Sequence, residues 1–303
     1  MQGHTILDLV EQRFPLNLKP VMADVRHLWD TAHKTQWDPS TAIPWDTFDA
    51  SRYSKEQLEA GRLYWSRRAW TEYNGTAEFC ALQLRFCMEP DREIDARLQM
   101  SMEQLEESNH CIASYMFAEK LGGYEPAPLT PLPKSINHRG IKEKCFDLNI
   151  SLEAIMIAHI CIGETIAAAI FEARYRQTTD PVAKELVLRI MRDEARHIAF
   201  GWNYMAHKVK NFTPDLIKDM ERVAIDVIEN SELKGFHCIW LNPSPETQYL
   251  IESNNLCAEA GLGACTPEQE TATLVSSIDD IRRRLKPWGI NLPIFKHDIL
   301  GEV

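Results

Sequence analysis

The chain has 303 residues, 45% of them apolar and 25% charged, which is an ordinary composition for a globular protein with a sizeable buried core. A formal net charge of −11 argues against a nucleic-acid partner, because phosphate binding needs a basic face. The opening residues, MQGHTILDLVEQRFPLNLKP, lack the basic start and apolar centre of a secretory signal. No run of about eighteen apolar residues stands out, so no membrane partner is expected. Eight cysteines (80, 87, 111, 145, 161, 238, 257 and 265) follow no metal-binding spacing. Free thiols in a cytoplasmic protein are the expectation.

Almost no segment alternates as a half-buried strand would; the long patterned stretches repeat every three to four residues. Residues 1–53 read as an arm with a helix or two and an aromatic stretch, WDPSTAIPWDTF. A first long helix is expected over about 54–88, opened by a Ser54 cap with Gln57 in the capping-box position and stopped before Pro90. A second follows over about 91–121, ended by Gly122-Gly123. The four prolines of GGYEPAPLTPLPKSINHRG then require a loop. A third helix is expected over about 141–177. A fourth, over about 180–210, starts at Thr179-Asp180-Pro181.

Four helices of roughly thirty residues, each about 45 Å long at 1.5 Å per residue, suit an all-α four-helix bundle with one long crossover. The bundle core would cover about 54–210, with residues 211–303 adding perhaps three shorter helices and an irregular tail. No change of composition marks a second domain.

The polar residues of these helices form a repeated pattern. The first pair carries Glu78 and then Glu107-x-x-His110, with 29 residues from one glutamate to the next. The second pair carries Glu164 and then Glu194-x-x-His197, a separation of 30. Residues three apart on a helix project to one spot. The two halves would therefore bring four carboxylates and two imidazoles together, a donor set for two first-row divalent ions. Glu164 stands out in IMIAHICIGETIAAAIFEA, where a lone acid would be costly. Glu72 lies six residues before Glu78. Glu78 is preferred for its apolar surroundings and for the even spacing.

With these motifs the chain resembles the ferritin-like di-iron carboxylate superfamily over about residues 60–210. That superfamily includes the multicomponent monooxygenase hydroxylases, acyl-carrier-protein desaturases, the ribonucleotide reductase small subunit and p-aminobenzoate N-oxygenase. The resemblance implies two Fe ions, or a Mn/Fe pair, that activate O2. It also implies an organic small-molecule substrate and an external electron donor such as a reductase or ferredoxin-like protein. A homodimer is compatible with it. Two departures narrow the likeness. Ser114 stands where the reductase small subunit has its radical tyrosine, with Tyr115 one step round the helix, and Ile190 stands where arylamine N-oxygenases carry an extra histidine ligand.

Metal-bound imidazoles usually donate their other N–H to a carboxylate. Asp193 is expected to serve His110 in this way and Glu106 to serve His197, with Arg196 pairing with Asp193. Small residues near the ligands, Ala81, Ser114, Ala167, Ala168 and Gly201, together with Cys161, sketch a substrate pocket. His159, five residues before Glu164, should lie about 140° round an α-helix and belong to the core. Trp29, Trp37, Trp45 and His138 have no assigned role. An oxygenase acting on carbon or nitrogen is the leading reading. Fatty-chain desaturation or C–C cleavage, iron storage and a metal-free scaffold are the alternatives.

Overall fold

The computed structural model describes residues 18–89, 92–126, 136 and 138–303. The helix stop at Pro90, prolines 128, 131 and 133 and the first seventeen residues lie outside that description. Helix α1 covers Ala23–Thr35, and the aromatic stretch after it is an extended arm with two single 3-10 turns. Helix α2, Lys55–Met88, starts at the expected capping box. The Gln57 N–H donates to Ser54 Oγ at 3.2 Å, and the Ser54 N–H donates to Gln57 Oε1 at 2.9 Å. Helix α3, Ile94–Lys120, ends at Gly122 and Gly123, which adopt φ of 129° and 112°, conformations that favour glycine.

The expected third helix is broken. Helix α4 covers only Ile141–Phe146, and α5 runs over Leu152–Gln177. Arg85 of α2 holds the break open by donating to the carbonyls of Cys145, Asp147 and Ile150 at 2.9–3.2 Å. Ser151 caps α5, and Asp219 accepts both its N–H and its hydroxyl. Within α5, residues Ile157–Glu164 wind as a π-helix, whose turns close on the fifth residue. Helix α6, Pro181–Lys208, begins at Asp180, whose carboxylate accepts the Val182 and Ala183 N–H groups. Three further helices follow: α7 (Pro214–Asn230), α8 (Gln248–Glu259) and α9 (Pro267–Leu285). A two-stranded ribbon, Lys296–His297 with Gly301–Glu302, closes the tail.

Helix α2 pairs with α3, α5 with α6, and α3 with α6, while α1 lies across α3 and α6. Helices α7 and α9 cover α5, and α8 covers α2. Trp65 Nε1 donates to Leu262 O at 2.7 Å, tying the C-terminal extension to α2. Helix α5 is apolar and long enough to cross a membrane by composition, with a mean hydropathy of 2.0, contrary to the expectation that no segment qualifies. Its apolar window is 83% buried inside the protein, so its hydrophobicity serves the core.

The apolar core comes in two blocks along the bundle axis. One contains Phe79, Phe86, Met100, Ile160, Phe200 and Tyr204; the other contains Tyr64, Trp65, Phe117, Leu186 and Val187. On α2, α3 and α6 the interval between the blocks falls where the acids and histidines stand.

Gly201, expected to leave room for substrate, instead lets α6 approach α5. A Cβ at this position would fall 2.6 Å from Ile160 Cγ2 and 3.3 Å from the Cys161 nitrogen. Gly201→Ala should therefore cost about 1–3 kcal/mol through overpacking. Thermal denaturation reads this directly, and an unchanged melting temperature would show that the helices are not in contact there.

Candidate metal centre

Six side chains meet between the two core blocks: Glu72 from α2, Glu107 and His110 from α3, Glu164 from α5, and Glu194 and His197 from α6. None is more than 4% exposed. Ligand atoms of Glu107, Glu164, Glu194 and His197 all lie within 4.8 Å of one another, as do those of Glu72, Glu107 and His110. Glu107 belongs to both groups. Its Oε1 is 3.7 Å from His110 Nδ1 and 3.6 Å from His197 Nδ1. Glu194 spans the same interval, with Oε1 3.8 Å from His110 Nδ1 and Oε2 3.3 Å from His197 Nδ1. Glu72 Oε2 approaches only His110, at 4.0 Å, and Glu164 Oε2 approaches His197, at 3.9 Å.

The side chains could hold two ions: Glu107 and Glu194 lie within reach of both imidazoles, Glu72 only of His110, and Glu164 of His197. Atoms sharing one ion at about 2.0–2.2 Å must lie about 3–4 Å apart, as these do. The fit is also chemical. His110 Nδ1, His197 Nδ1 and Glu194 Oε2 are buried and have no hydrogen-bond partner. Unpaired buried groups of this kind are costly, and cations would satisfy them.

Outside this set, the expected orienting bonds are present. His110 Nε2 donates to Asp193 Oδ2 at 3.0 Å, and His197 Nε2 donates to Glu106 Oε2 at 2.9 Å. Arg196 joins the two by donating to Asp193 Oδ1 and, at 2.5 Å, to Glu106 Oε1. The arm supplies two groups that nothing in the sequence singles out beyond an aromatic cluster. Trp37 Nε1 donates to Asp193 Oδ2 at 2.8 Å, and Gln36 Nε2 donates to Glu106 Oε1 at 3.0 Å.

Glu78, expected as the sixth ligand, lies apart. It is fully buried and accepts from Arg139 Nη2 at 2.7 Å and Nε at 3.2 Å, while the guanidinium sits over Phe236. Glu72 takes the place expected for it. Six residues turn an α-helix by about 240°, so only one of the two acids can face the centre. Even spacing misled because the hairpins are unequal. Glu164 lies 13 residues before the end of α5, but Glu72 lies 16 before the end of α2 (177 − 164 and 88 − 72).

His159 also departs from the expectation. On a turn that closes on the fifth residue it stands beneath Glu164, its Nδ1 3.6 Å from Glu164 Oε1, with its ring against Phe79. Both ring nitrogens are buried without partners. Burial, reinforced by the charge of Arg139, pulls its pKa down to about 4, so the ring is neutral.

No protein-family profile matches the chain, and no curated protein matches it by sequence. Solved structures do. One is an R2-like ligand-binding oxidase with an aerobically reconstituted metal cofactor after photoconversion, at a TM-score of 0.62 and 15% identity, over 86% of this chain and 92% of that one. A mutant of the R2-like ligand-binding oxidase with an aerobically reconstituted Mn/Fe cofactor matches at 0.62 and 14% identity, with the same coverage. Another mutant, with an anaerobically reconstituted Mn/Fe cofactor, matches at 0.60 and 15%, over 86% of this chain and 92% of that one.

The fold is the ferritin-like helical fold. In this ferritin-like bundle a cavity of about 30 Å³ adjoins the Glu72 side of the centre, between Arg68, Thr71, Phe79, Ala167, Phe171 and Phe236. Of the expected pocket residues, only Ala167 lines it. Ala81, Ser114 and Cys161 are buried elsewhere in the packing, and Ala168 is half-buried on another side of α5. Burial pushes the Cys161 thiol far up, as suits a spectator.

The protons of the ion-free centre follow from its crowding. Burial, and then repulsion from Glu194, raises Glu107 well above the usual carboxyl range; burial, and then Glu164, raises Glu194. Burial also opposes the charge on Glu164, but the nearby His197 and the charge of Arg139 outweigh it and hold this carboxyl low. Protons on the raised groups must leave when cations enter. Between the ordinary carboxyl pKa and the raised values, the ion-free fold binds more protons than the unfolded chain. Its stability therefore falls as pH rises through that window, while metal affinity rises. Calorimetry in two buffers of different ionisation heat should show proton release on metal binding; none would contradict this charge distribution.

Glu72→Ala should lower the metal content to one or none. Glu78→Ala should keep both ions but destabilise the fold by about 3–5 kcal/mol, because Arg139 is left buried without its partner. Metal analysis and thermal denaturation of the two variants separate the roles, and the opposite pattern would restore Glu78 as a ligand.

Proposed function

We propose that the chain is an O2-dependent di-metal oxidoreductase that hydroxylates or N-oxygenates a small organic substrate. Glu72, Glu107, His110, Glu164, Glu194 and His197 hold two Fe ions or a Mn/Fe pair. The observation that supports this most directly is the pair of inward-facing Nδ1 atoms with Glu107 and Glu194 lying between them. A bound pair of first-row ions supplies redox chemistry toward dioxygen. The chain's own residues do the rest. Asp193 and Glu106 fix the ring orientation of His110 and His197 and keep Nε2 as the protonated nitrogen. Arg196, Trp37 and Gln36 keep those two acids in place, and Phe79 and Phe171 keep bulk water from the cavity.

Desaturation or C–C cleavage of a fatty chain is the alternative within the same chemistry. The electrons come from a separate reductase or ferredoxin-like partner, because the residues of this chain provide no flavin or iron–sulfur motif. Eight free thiols suit a cytoplasmic location.

Anaerobic loading with Fe(II) followed by O2 tests the reading. The expected result is two irons per chain and a rapid change in visible absorbance with O2 uptake at that ratio. Hundreds of irons per particle would mean storage, and no iron uptake would mean a scaffold; either would overturn the proposal. Asp193→Asn should retain most of the metal yet slow O2 consumption about 10–100-fold. An unaltered rate would remove Asp193 from the working centre.

A further inference from the structure

His237, in the segment between α7 and α8, shares the walls of the small cavity with all four central carboxylates. The cavity's volume of about 30 Å³ suits one or two water molecules, since each needs about 10–15 Å³ of such space and polar groups to bond it. His237 Nδ1 lies 2.6 Å from Glu232 Oε2. An imidazole nitrogen that faces a carboxylate carries the hydrogen, which leaves Nε2 to exchange protons. The ring is 9% exposed and Glu232 only 1%, so the imidazole keeps an accessible edge while its acid stays inside.

A staple for the loop would need the hydrogen bond alone. A carboxylate so buried, with its Oε1 unpartnered, is costly unless a cation stands beside it, and an imidazolium is such a cation. The other polar groups on the wall are poor proton carriers. Thr71 gives its hydroxyl to Arg67 O at 2.9 Å, and the guanidinium groups of Arg68 and Arg139 keep their protons at neutral pH. Histidine is the side chain that takes up and yields a proton there. The charges packed around His237 are Glu232, Arg139 over Phe236, and Arg174, whose Nη2 donates to the His237 carbonyl at 3.3 Å. Glu270 in turn holds Arg174 at 3.1 Å.

Hydroxylation or N-oxygenation consumes one O2, two electrons and two protons. One oxygen atom enters the substrate and the other leaves as water. We propose that His237, held by Glu232, brings those protons from solvent to the centre through a water seated in the cavity. Nε2 takes a proton from solvent and passes it to the water, which gives one of its own to the oxygen being reduced. Glu232 stabilises the imidazolium between the two transfers. The phenylalanine walls can then exclude bulk water without starving the reaction of protons. The proposal rests on the O2-dependent reading and adds to it the route by which protons enter. His237 is a proton-transfer residue that acts through water, and Glu232 is a positioning residue.

The test uses the full chain loaded anaerobically with Fe(II) and mixed with O2 in weak buffer containing a pH indicator. Wild type should take up protons as the visible absorbance changes. His237→Gln should keep two irons per chain yet take up protons about 100-fold more slowly, as for loss of a positioned acid–base group. In His237→Ala, added imidazole should restore part of the rate, which a purely structural role would not allow. Equal uptake by His237→Gln and wild type would overturn the proposal, as would a loss that imidazole leaves unchanged.

A chain that takes up no iron would defeat the functional reading, and a second measurement then decides the proton route alone. In metal-free wild type, ¹⁵N–¹H correlations of the His237 ring should show a protected hydrogen on Nδ1 and fast solvent exchange at Nε2. A slowly exchanging Nε2 hydrogen would mean a ring sealed from solvent and would overturn the proposal.

Discussion

The structure depends on mutual repulsion among four carboxylates placed where four helices cross. Burial alone would drive protons onto them, and it does so for Glu107 and Glu194. Two arginines stand at the rim of the cluster, Arg68 against Glu72 and Arg139 3.9 Å from Glu164. The fold leaves two imidazole nitrogens and one carboxylate oxygen, Glu194 Oε2, without partners, facing one another. A folded protein tolerates such a gap when something outside the chain fills it, and the donor set suits a pair of divalent cations. The division of the apolar core into two blocks follows from this, because the polar layer needs every helix to surrender its core position at one level.

Much of this was legible in the sequence because it rests on local rules. The capping box at Ser54 and Gln57, the Asp180-Pro181 start and the two glycines after α3 each act within a turn of chain. The two Glu-x-x-His motifs are legible for the same reason, since a spacing of three fixes direction on any α-helix. Their orienting acids could be assigned across the bundle because each precedes a ligand and so points toward the neighbouring helix. The pairings Asp193–His110 and Glu106–His197 are those found.

What was not legible depends on register over longer distances. Choosing Glu78 over Glu72 assumed hairpins of equal length, and the sequence does not reveal how far α2 overshoots. His159 is buried in the core as expected, but α-helical turns put it about 140° from Glu164, and the π-helical segment brings it beside that residue instead. The break between α4 and α5 depends on Arg85, sixty or more residues away, which supplies the donors that free carbonyls need. Small residues were poor guides to the cavity. Gly201 answers to a helix contact, and Gly163 makes room for Arg139, whose Nη1 lies 2.3 Å from where its Cβ would be.

The indole of Trp37 meets Asp193 across 156 residues of chain, and Asp193 in turn sets the ring of His110. One half of the centre is therefore locked by a segment near the beginning of the polypeptide, which can dock only after the last long helix of the bundle has formed. During synthesis, α6 emerges long after the arm has left the ribosome, and the arm has to wait for its seat. Until that closure is complete, Asp193 lacks its Trp37 partner, and the seat of His110 is only half built.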